Sequence, residues 1–224
     1  MEILALGAHP DDVEFGCGGT LARLVEGGAV VRAVCLTSGE AGGLGVSRDA
    51  LAQTRRAEAR AAAACLGLRE VSFLGFPDGL TAVTREMKVE LIGLIRRLRP
   101  GVVFSHARSD SVPDHQILGA LVRDAVTSAG GPWFADATGE PHRVVAFYGY
   151  EVWHPIPDYQ TAVDVTAWMP RKREALACHR SQLRDIDYGA AADGLARYRG
   201  ALSGVGHHAE VFEVERAPLF PGAR

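Results

Sequence analysis

A histidine and three carboxylates are crowded into one short stretch near the start of the chain. An apolar run over Ile3–Ala8 is followed by these four side chains, His9, Asp11, Asp12 and Glu14. Such a run is typical of a buried parallel strand, and parallel sheets bind ligands beyond the carboxyl ends of their strands. A nitrogen and a carboxylate oxygen from His9 and Asp12 can converge on one cation and suit zinc or a similar divalent metal. Asp11 would then point elsewhere, free to take a proton from a metal-bound water.

A catalytic zinc usually has three protein ligands and keeps one position open for water. The third ligand should come from another loop at the same edge of the sheet, and two histidines follow the apolar run Val102–Ser105. We favour His115, because it follows Asp114, which could orient it or a neighbouring group, and because it opens a helix. His106 lies nearer the end of the strand and is the alternative.

The elements that must position these residues alternate between strands and helices. Short apolar runs predict four strands, Ile3–Ala8, Val30–Leu36, Val71–Leu74 and Val102–Ser105. Helical periodicity and end signals predict four helices, Thr20–Glu26, Ser47–Leu66, Thr84–Leu98 and Gln116–Ala129. Such alternation indicates βαβ units with right-handed crossovers. We therefore predict an α/β fold, a Rossmann-like three-layer α/β/α arrangement around a mainly parallel sheet.

The alternation weakens in the second half of the chain. We predict a strand at Val144–Tyr150, a helix at Arg171–Leu183 and a closing strand at Val211–Val214. No low-complexity linker, repeat or charge block divides the chain, so we predict a single domain over residues 1–224. The glycine-rich segment Ser38–Val46 is a candidate mobile loop over the site.

Composition excludes several classes of protein. A net charge of −3 argues against binding to nucleic acid or to an anionic membrane through overall electrostatic attraction. No apolar run approaches the roughly 20 residues that span a bilayer, and no export signal opens the sequence, so we expect a cytoplasmic protein. The four cysteines form no C-x-x-C pair and are expected to be free thiols.

Two common alternatives for an α/β protein lack their motifs. The dinucleotide-binding pattern G-x-G-x-x-G fails because Leu21 stands at its third glycine position. A phosphate-binding G-K-[ST] loop and the G-x-S-x-G turn of α/β hydrolases are also absent from the sequence. Metal-dependent hydrolysis is the interpretation that these negatives favour.

The motifs of the chain resemble those of the PIG-L/LmbE-like zinc N-deacetylases, which remove acetyl groups from N-acetylglucosaminyl compounds. The most specific match is Ala8–Asp12 followed by Gly16–Thr20, which resembles the opening motif of that family. Weaker matches follow along most of the chain, at Arg55–Ala59, Phe76–Leu80, Pro113–His115, Lys172–Gln182 and Ala209–Phe212.

The resemblance implies a role for individual residues. His9, Asp12 and His115 would be the metal ligands, Asp11 the general base, and Arg55 a contact to the substrate or to the oxyanion. It also implies bound Zn²⁺ (or another divalent metal), a small N-acetylated amino sugar as substrate, and a homo-oligomer. Neither nucleic acid nor membrane is expected as a partner.

One departure from the family pattern concerns the residue before Pro113. Many members have a histidine there, which helps to polarise the reacting carbonyl, whereas this chain has Val112. His208 is a possible substitute in the pocket, and His106 and His179 are further candidates. The departure motivates an alternative function, a catalytically impaired relative that binds a metal or a sugar.

Overall fold

Strands and helices alternate from the start of the chain through residue 150, as the apolar pattern predicts. The computed structural model describes residues 1–79, 82–184 and 186–218. Its strands are β1 (Glu2–Gly7), β2 (Val30–Cys35), β3 (Glu70–Phe73), β4 (Val102–His106), β5 (Ala146–Tyr150), β6 (Thr161–Asp164) and β7 (Ala209–Arg216). Its helices are α1 (Asp12–Glu26), α2 (Arg48–Leu66), α3 (Arg85–Leu98), α4 (Pro113–Ser128), α5 (Met169–Ala177) and α6 (Tyr188–Ser203). A 3-10 turn, Thr166–Trp168, precedes α5.

The seven strands form one sheet in the order β3-β2-β1-β4-β5-β7-β6. The first five in this order are parallel, and β7 pairs antiparallel with both β5 and β6. The strand order reverses between β1 and β4, and the crevice beyond their carboxyl ends is where open α/β sheets bind ligands. The loops that carry His9 and His115 both start at this point.

Alternation along β1 separates the core into two layers. Ile3 and Ala5 pack with α1, α2, α5 and α6 on one face of the sheet, whereas Leu4 and Leu6 pack with α3 and α4 on the other. The predicted three-layer α/β/α arrangement is confirmed. No helix among the described residues combines the length and the apolar character needed to cross a bilayer.

Helix α1 begins at Asp12 rather than at the predicted Thr20. Its first part is buried on all sides, so it shows no amphipathic stripe that would reveal a helix. The carboxylate of Glu210 accepts hydrogen bonds from the backbone N–H groups of Gly19 (2.9 Å) and Thr20 (2.7 Å). These contacts lie in the interior of α1, at the point where the helical pattern first becomes visible in the sequence.

The second half of the chain departs more from the prediction. Helix α5 ends at Ala177 rather than at Leu183, and both β6 and α6 were missed. Helix α6 is rich in alanine and glycine, which gives little contrast between a buried and an exposed face. Its end signals are nevertheless present, because Asp187 caps the Ala190 N–H and Gly204 ends the helix in a left-handed conformation.

Candidate metal centre and active site

The loop after β1 is held in a tight turn that aims two adjacent aspartates in different directions. Asp11 has φ of 108°, a left-handed conformation that costs a non-glycine residue on the order of 1–3 kcal/mol. Asp12 closes the turn, because its Oδ2 accepts a hydrogen bond from the His9 N–H (2.7 Å). The surrounding contacts hold Asp11 in this strained conformation. As a result, the carboxylates of Asp11 and Asp12 point in different directions.

The structure brings His9, Asp12 and His115 together. One potential ligand atom from each lies within 4.8 Å of the others. Asp12 Oδ1 is 3.2 Å from His115 Nε2, and Asp12 Oδ2 is 3.7 Å from His9 Nδ1. Tetrahedral zinc with bonds of about 2.0–2.2 Å places neighbouring ligand atoms roughly 3.3–3.5 Å apart, so these separations fit a divalent metal. His115 Nε2 is buried and has no hydrogen-bond partner among the described residues, as expected of a ligand atom.

The other ring nitrogen of each histidine contacts a carboxylate. Asp110 Oδ2 lies 2.9 Å from His115 Nδ1, and both Asp78 Oδ1 and Asp114 Oδ2 lie 3.0 Å from His9 Nε2. Carboxylates of this kind fix the orientation of metal-binding imidazoles. The sequence predicts that Asp114 orients either His115 or a neighbouring group. In the structure it contacts the neighbouring His9, and Asp110 is the carboxylate that contacts His115.

Sequence reasoning missed Asp110 and named Asp78 only within a weak motif. Asp110 lies five residues before His115 in a loop without periodicity, so no pattern in the sequence connects the two side chains. Asp78 is tied to the glycine-rich segment, since its Oδ2 accepts the Ala41 N–H (2.7 Å) and its own N–H donates to Glu40 (2.9 Å). These contacts anchor one part of the segment Ser38–Val46, whose predicted mobility stays a prediction.

His106, the alternative third ligand, is fully buried below the cluster. Its Nε2 accepts a hydrogen bond from the Ala8 N–H (3.1 Å), and its ring stacks on His115 at 3.9 Å between centroids. Burial lowers the pKa of His106, although the charge of Asp12 opposes the shift. Because Nε2 accepts the backbone N–H of Ala8, these contacts favour a scaffold role for His106 and leave His115 as the better candidate for the third ligand.

Among the residues that the structure describes, two further sets of ligand atoms lie within 4.8 Å of one another, namely His106 with Asp110 and His115, and His9 with Asp78 and Asp114. In both sets a ring nitrogen already pairs with a carboxylate of the same set. The set of His9, Asp12 and His115 differs because His115 Nε2 meets no hydrogen-bond partner within the described part of the chain, and because Asp12 Oδ2 lies 3.7 Å from His9 Nδ1, beyond hydrogen-bonding distance.

The carboxylates of the site strongly favour positive charge. Burial lowers the pKa of His9, but Asp114 and Asp78 outweigh it and raise that pKa to about 10. Burial likewise opposes Asp12 and Asp110, which raise the pKa of His115 to about 9. Burial would raise the pKa of Asp12, yet His115 and His106 hold it well below its usual range. An environment that draws protons onto two imidazoles is one that attracts a divalent cation.

Asp11 faces Arg55 rather than the imidazoles. Arg55 Nη2 donates to Asp11 Oδ2 (3.1 Å) and to the Pro10 carbonyl (2.8 Å), and Nη1 donates to the Gly39 carbonyl (2.9 Å). Burial raises the pKa of Asp11 to about 6, although the Arg55 charge opposes the shift. A carboxylate with this pKa is ionised at neutral pH yet basic enough to accept a proton. Arg55 is itself buried, so it is not a solvated helix charge.

The candidates for the role vacated at Val112 lie in different places. His208 Nε2 is 3.0 Å from Asp193 Oδ1 on α6, and the backbone N–H of His208 donates to Thr166 Oγ1. Neither partner belongs to the cluster of His9, Asp12 and His115. His179 is fully buried, with Nε2 3.7 Å from Glu14 and neither ring nitrogen hydrogen-bonded within the described part of the chain. The positive charge of His179 acts on Asp11 and lowers the pKa of that carboxyl.

Comparison with known proteins agrees with this geometry. Residues 4–126 match the family described as GlcNAc-PI de-N-acetylase, PIG-L. The chain is 34% identical over 190 residues to diacetylchitobiose deacetylase of Thermococcus kodakarensis, a match that covers 81% of this chain and 70% of that protein. The chain therefore belongs to the PIG-L family of de-N-acetylases.

Solved structures share the whole fold. The conserved protein TT1542 from Thermus thermophilus has a TM-score of 0.87 and 35% identity, over 99% of this chain and 98% of that one. GalB, the 4-carboxy-2-hydroxymuconate hydratase of Pseudomonas putida, has a TM-score of 0.81 and 25% identity, over 100% and 98%. The scaffold thus also occurs in a protein that is not named as a deacetylase.

Proposed function

We propose that this protein is a zinc-dependent hydrolase that removes the acetyl group from an N-acetylglucosaminyl-type small molecule. The observation that carries the proposal is that the adjacent Asp11 and Asp12 have different partners. Asp12 faces His9 and His115, whereas Asp11 is turned toward Arg55 with its pKa raised by burial to about 6. A metal site with a separate carboxylate beside it suits the metal-assisted hydrolysis of an amide by water.

In this mechanism His9, Asp12 and His115 would hold the metal, and Asp110, Asp78 and Asp114 would orient the two imidazoles. Zinc held there would activate water at a pH of about 7 and would polarise the acetyl carbonyl. Asp11 takes the proton from the water as its oxygen bonds to the carbonyl carbon, and returns that proton to the amine nitrogen as the C–N bond breaks and acetate is released.

Arg55 acts in this scheme chiefly through Asp11. Its Nη1 and Nη2 atoms are engaged by Asp11 and by two backbone carbonyls, which leaves its Nε without a partner among the described residues. The guanidinium therefore fixes the direction of the Asp11 carboxylate and keeps it ionised. Contact with the substrate or the oxyanion, the role expected from the resemblance, would use the remaining Nε–H.

The second candidate function is a relative that binds a metal or a sugar but does not turn it over. Val112 is the observation that favours it, because this half-buried side chain cannot polarise a carbonyl as a histidine would. Against it stands the intact set of metal-binding side chains with Asp11 beside them. An inactive site has no physical need to keep Asp11 strained, buried and paired with Arg55.

A screen of N-acetylated glucosaminides for released amine, with and without a chelator, separates these functions. We expect amine release by the zinc-loaded protein, loss with the chelator, and recovery when zinc is restored. Bound zinc without amine release across the whole panel would favour the binding relative. Amine release that is insensitive to complete metal removal would contradict the proposed mechanism.

We also propose that the protein forms a homo-oligomer. A cavity of about 700 Å³ lies away from the metal centre, on the sheet face beside α1, with Phe104, Tyr148 and Phe212 among its lining residues. Exposed Met1 and Val205 stand at this cavity, an apolar surface that a second copy of the chain could cover. Light scattering after size-exclusion chromatography tests this, and a monomer at micromolar concentration would contradict it. The cytoplasmic location and the lack of nucleic-acid or membrane partners stay predictions.

A further inference from the structure

Two cysteines that are far apart in the sequence lie side by side at the packed ends of α2 and α5. The Sγ atoms of Cys65 and Cys178 are 3.8 Å apart, although 113 positions separate the residues. Both side chains are half-buried, so small reagents can reach them. Cys17 and Cys35, in contrast, are buried. Sulfur atoms in van der Waals contact need only local rotation and a small shift to reach the roughly 2.05 Å of a disulfide.

Neighbouring contacts hold the two elements in this arrangement. The carboxylate of Glu58 on α2 accepts hydrogen bonds from the N–H (2.8 Å) and the hydroxyl (2.6 Å) of Ser181, just after Cys178. The Cys178 thiol also donates to the Glu174 carbonyl (3.4 Å), which fixes it at the end of α5. The cysteines therefore meet at a preformed junction.

We propose that Cys65 and Cys178 form a modification site, which low-molecular-weight disulfides oxidise to a disulfide that links α2 to α5. The proposal is independent of the deacetylase function. One thiol of the pair, as its thiolate, attacks a sulfur of the small disulfide and releases one small thiol. The second thiol then attacks the mixed disulfide and releases the other small thiol. Two electrons pass to the small disulfide, and the two protons of the cysteines end on its two thiols.

The environment sets the conditions under which this reaction is fast. Burial, the adjacent Cys178 and the nearby Glu174 raise the pKa of Cys65 to about 11. Exchange depends on the thiolate fraction, so oxidation is expected to accelerate as the pH rises from about 7 to 9. The pair should stay reduced for long periods near neutral pH and react on sustained exposure.

The test treats the full-length protein with oxidised glutathione at pH about 8.5, then alkylates it under denaturing conditions and counts the alkylated cysteines by mass spectrometry, so that every reduced thiol is scored. We expect two of the four thiols to disappear and tryptic peptides 61–69 and 174–180 to be joined. The melting temperature should rise by about 5–15 °C and fall back after reduction, because the bond closes a long loop.

Three variants make the result decisive. Cys65→Ser and Cys178→Ser should each abolish the linked peptide and the reversible rise in melting temperature. The matched control Cys17→Ser with Cys35→Ser should retain both effects, and circular dichroism verifies that each variant is folded. Survival of all four thiols, a link between other cysteines or between chains, or glutathione fixed on a single cysteine would overturn the proposal.

Discussion

Two groups of buried charges in this protein use the same residue types in opposite ways. At the candidate metal centre, carboxylates outnumber the cations, His115 Nε2 has no hydrogen-bond partner among the described residues, and the pKa of His9 is raised to about 10. Near α1, Lys172 Nζ lies 2.6 Å from Glu210 Oε1, and Glu210 also accepts two backbone N–H groups of α1. Incomplete pairing marks the group that can bind a ligand, whereas complete pairing marks the group that stabilises the fold.

A second saturated pair confirms the contrast. Arg199 donates to both carboxylate oxygens of Glu151 (2.9 and 2.5 Å) and to the Ile156 carbonyl (2.7 Å). Glu151 in turn accepts the Ile156 N–H (2.7 Å). These contacts join α6 to the chain after β5, a structural role, although the residues are as buried as those of the metal centre.

The largest effect is expected where the incomplete group loses a ligand. His115→Ala should abolish zinc binding and lower amine release about 10³-fold or more, because several kcal/mol of metal-dependent stabilisation are lost. Metal analysis and the amine-release assay measure both. His208→Ala is the matched control, since His208 pairs with Asp193, and it should keep metal and activity. A His115→Ala protein that keeps its zinc would contradict the ligand assignment.

The second-largest effect distinguishes the role of Asp11 as general base from the role of Asp12 as metal ligand. Asp11→Asn should lower kcat by about 10²–10⁴-fold, because the general base is removed, while zinc content stays at the level of the unmodified protein. Steady-state kinetics on metal-quantified samples tests this. If zinc is lost together with activity, Asp11 belongs among the ligands and the division between Asp11 and Asp12 is wrong.

Disrupting the fully paired Lys172–Glu210 group should lower stability rather than activity. Lys172→Met leaves Glu210 as a buried charge without its partner, which should lower the free energy of unfolding by about 3–5 kcal/mol. Denaturant titration measures the loss, and kcat of the folded fraction should remain within about twofold. Adding Glu210→Gln should recover part of the stability. A large fall in kcat with unchanged stability would place Lys172 in the active site.

The carboxylate beside His115 should have an intermediate influence. Asp110→Asn should weaken zinc binding by about 10–100-fold, because the imidazole loses the partner that orients it. Competition with a zinc-binding dye gives the affinity, and activity should return at excess zinc. An unchanged affinity would mean that Asp110 is only a structural residue of the loop.

The smallest effect is a dependence on pH. Asp11 must be ionised to act as a base, and burial raises its pKa to about 6. The value of kcat/KM should therefore be constant above that pH and fall about tenfold per unit below it, with the midpoint at or below 6 when the dication is bound. A profile that falls as the pH rises from 6 to 8 would contradict the base role.

The sequence predicts the parallel half of the fold well, because its strands are apolar runs and its helices end at glycine or proline. The same reasoning places His9, Asp12 and His115 at one edge of the sheet, since β1 and β4 are neighbours there. It misses α6, whose alanines and glycines hide the buried face, and Asp110, whose contact with His115 depends on the path of a loop. Periodicity reports burial, not which polar side chains meet.

The proposed metal site is tested most directly by an anomalous difference map from crystals grown with Zn²⁺. We expect one strong peak bonded to His9, Asp12 and His115 at about 2.0–2.2 Å, with Asp11 outside bonding distance. A peak held instead by His106 and Asp110, or by Asp78 and Asp114, would contradict this set of ligands.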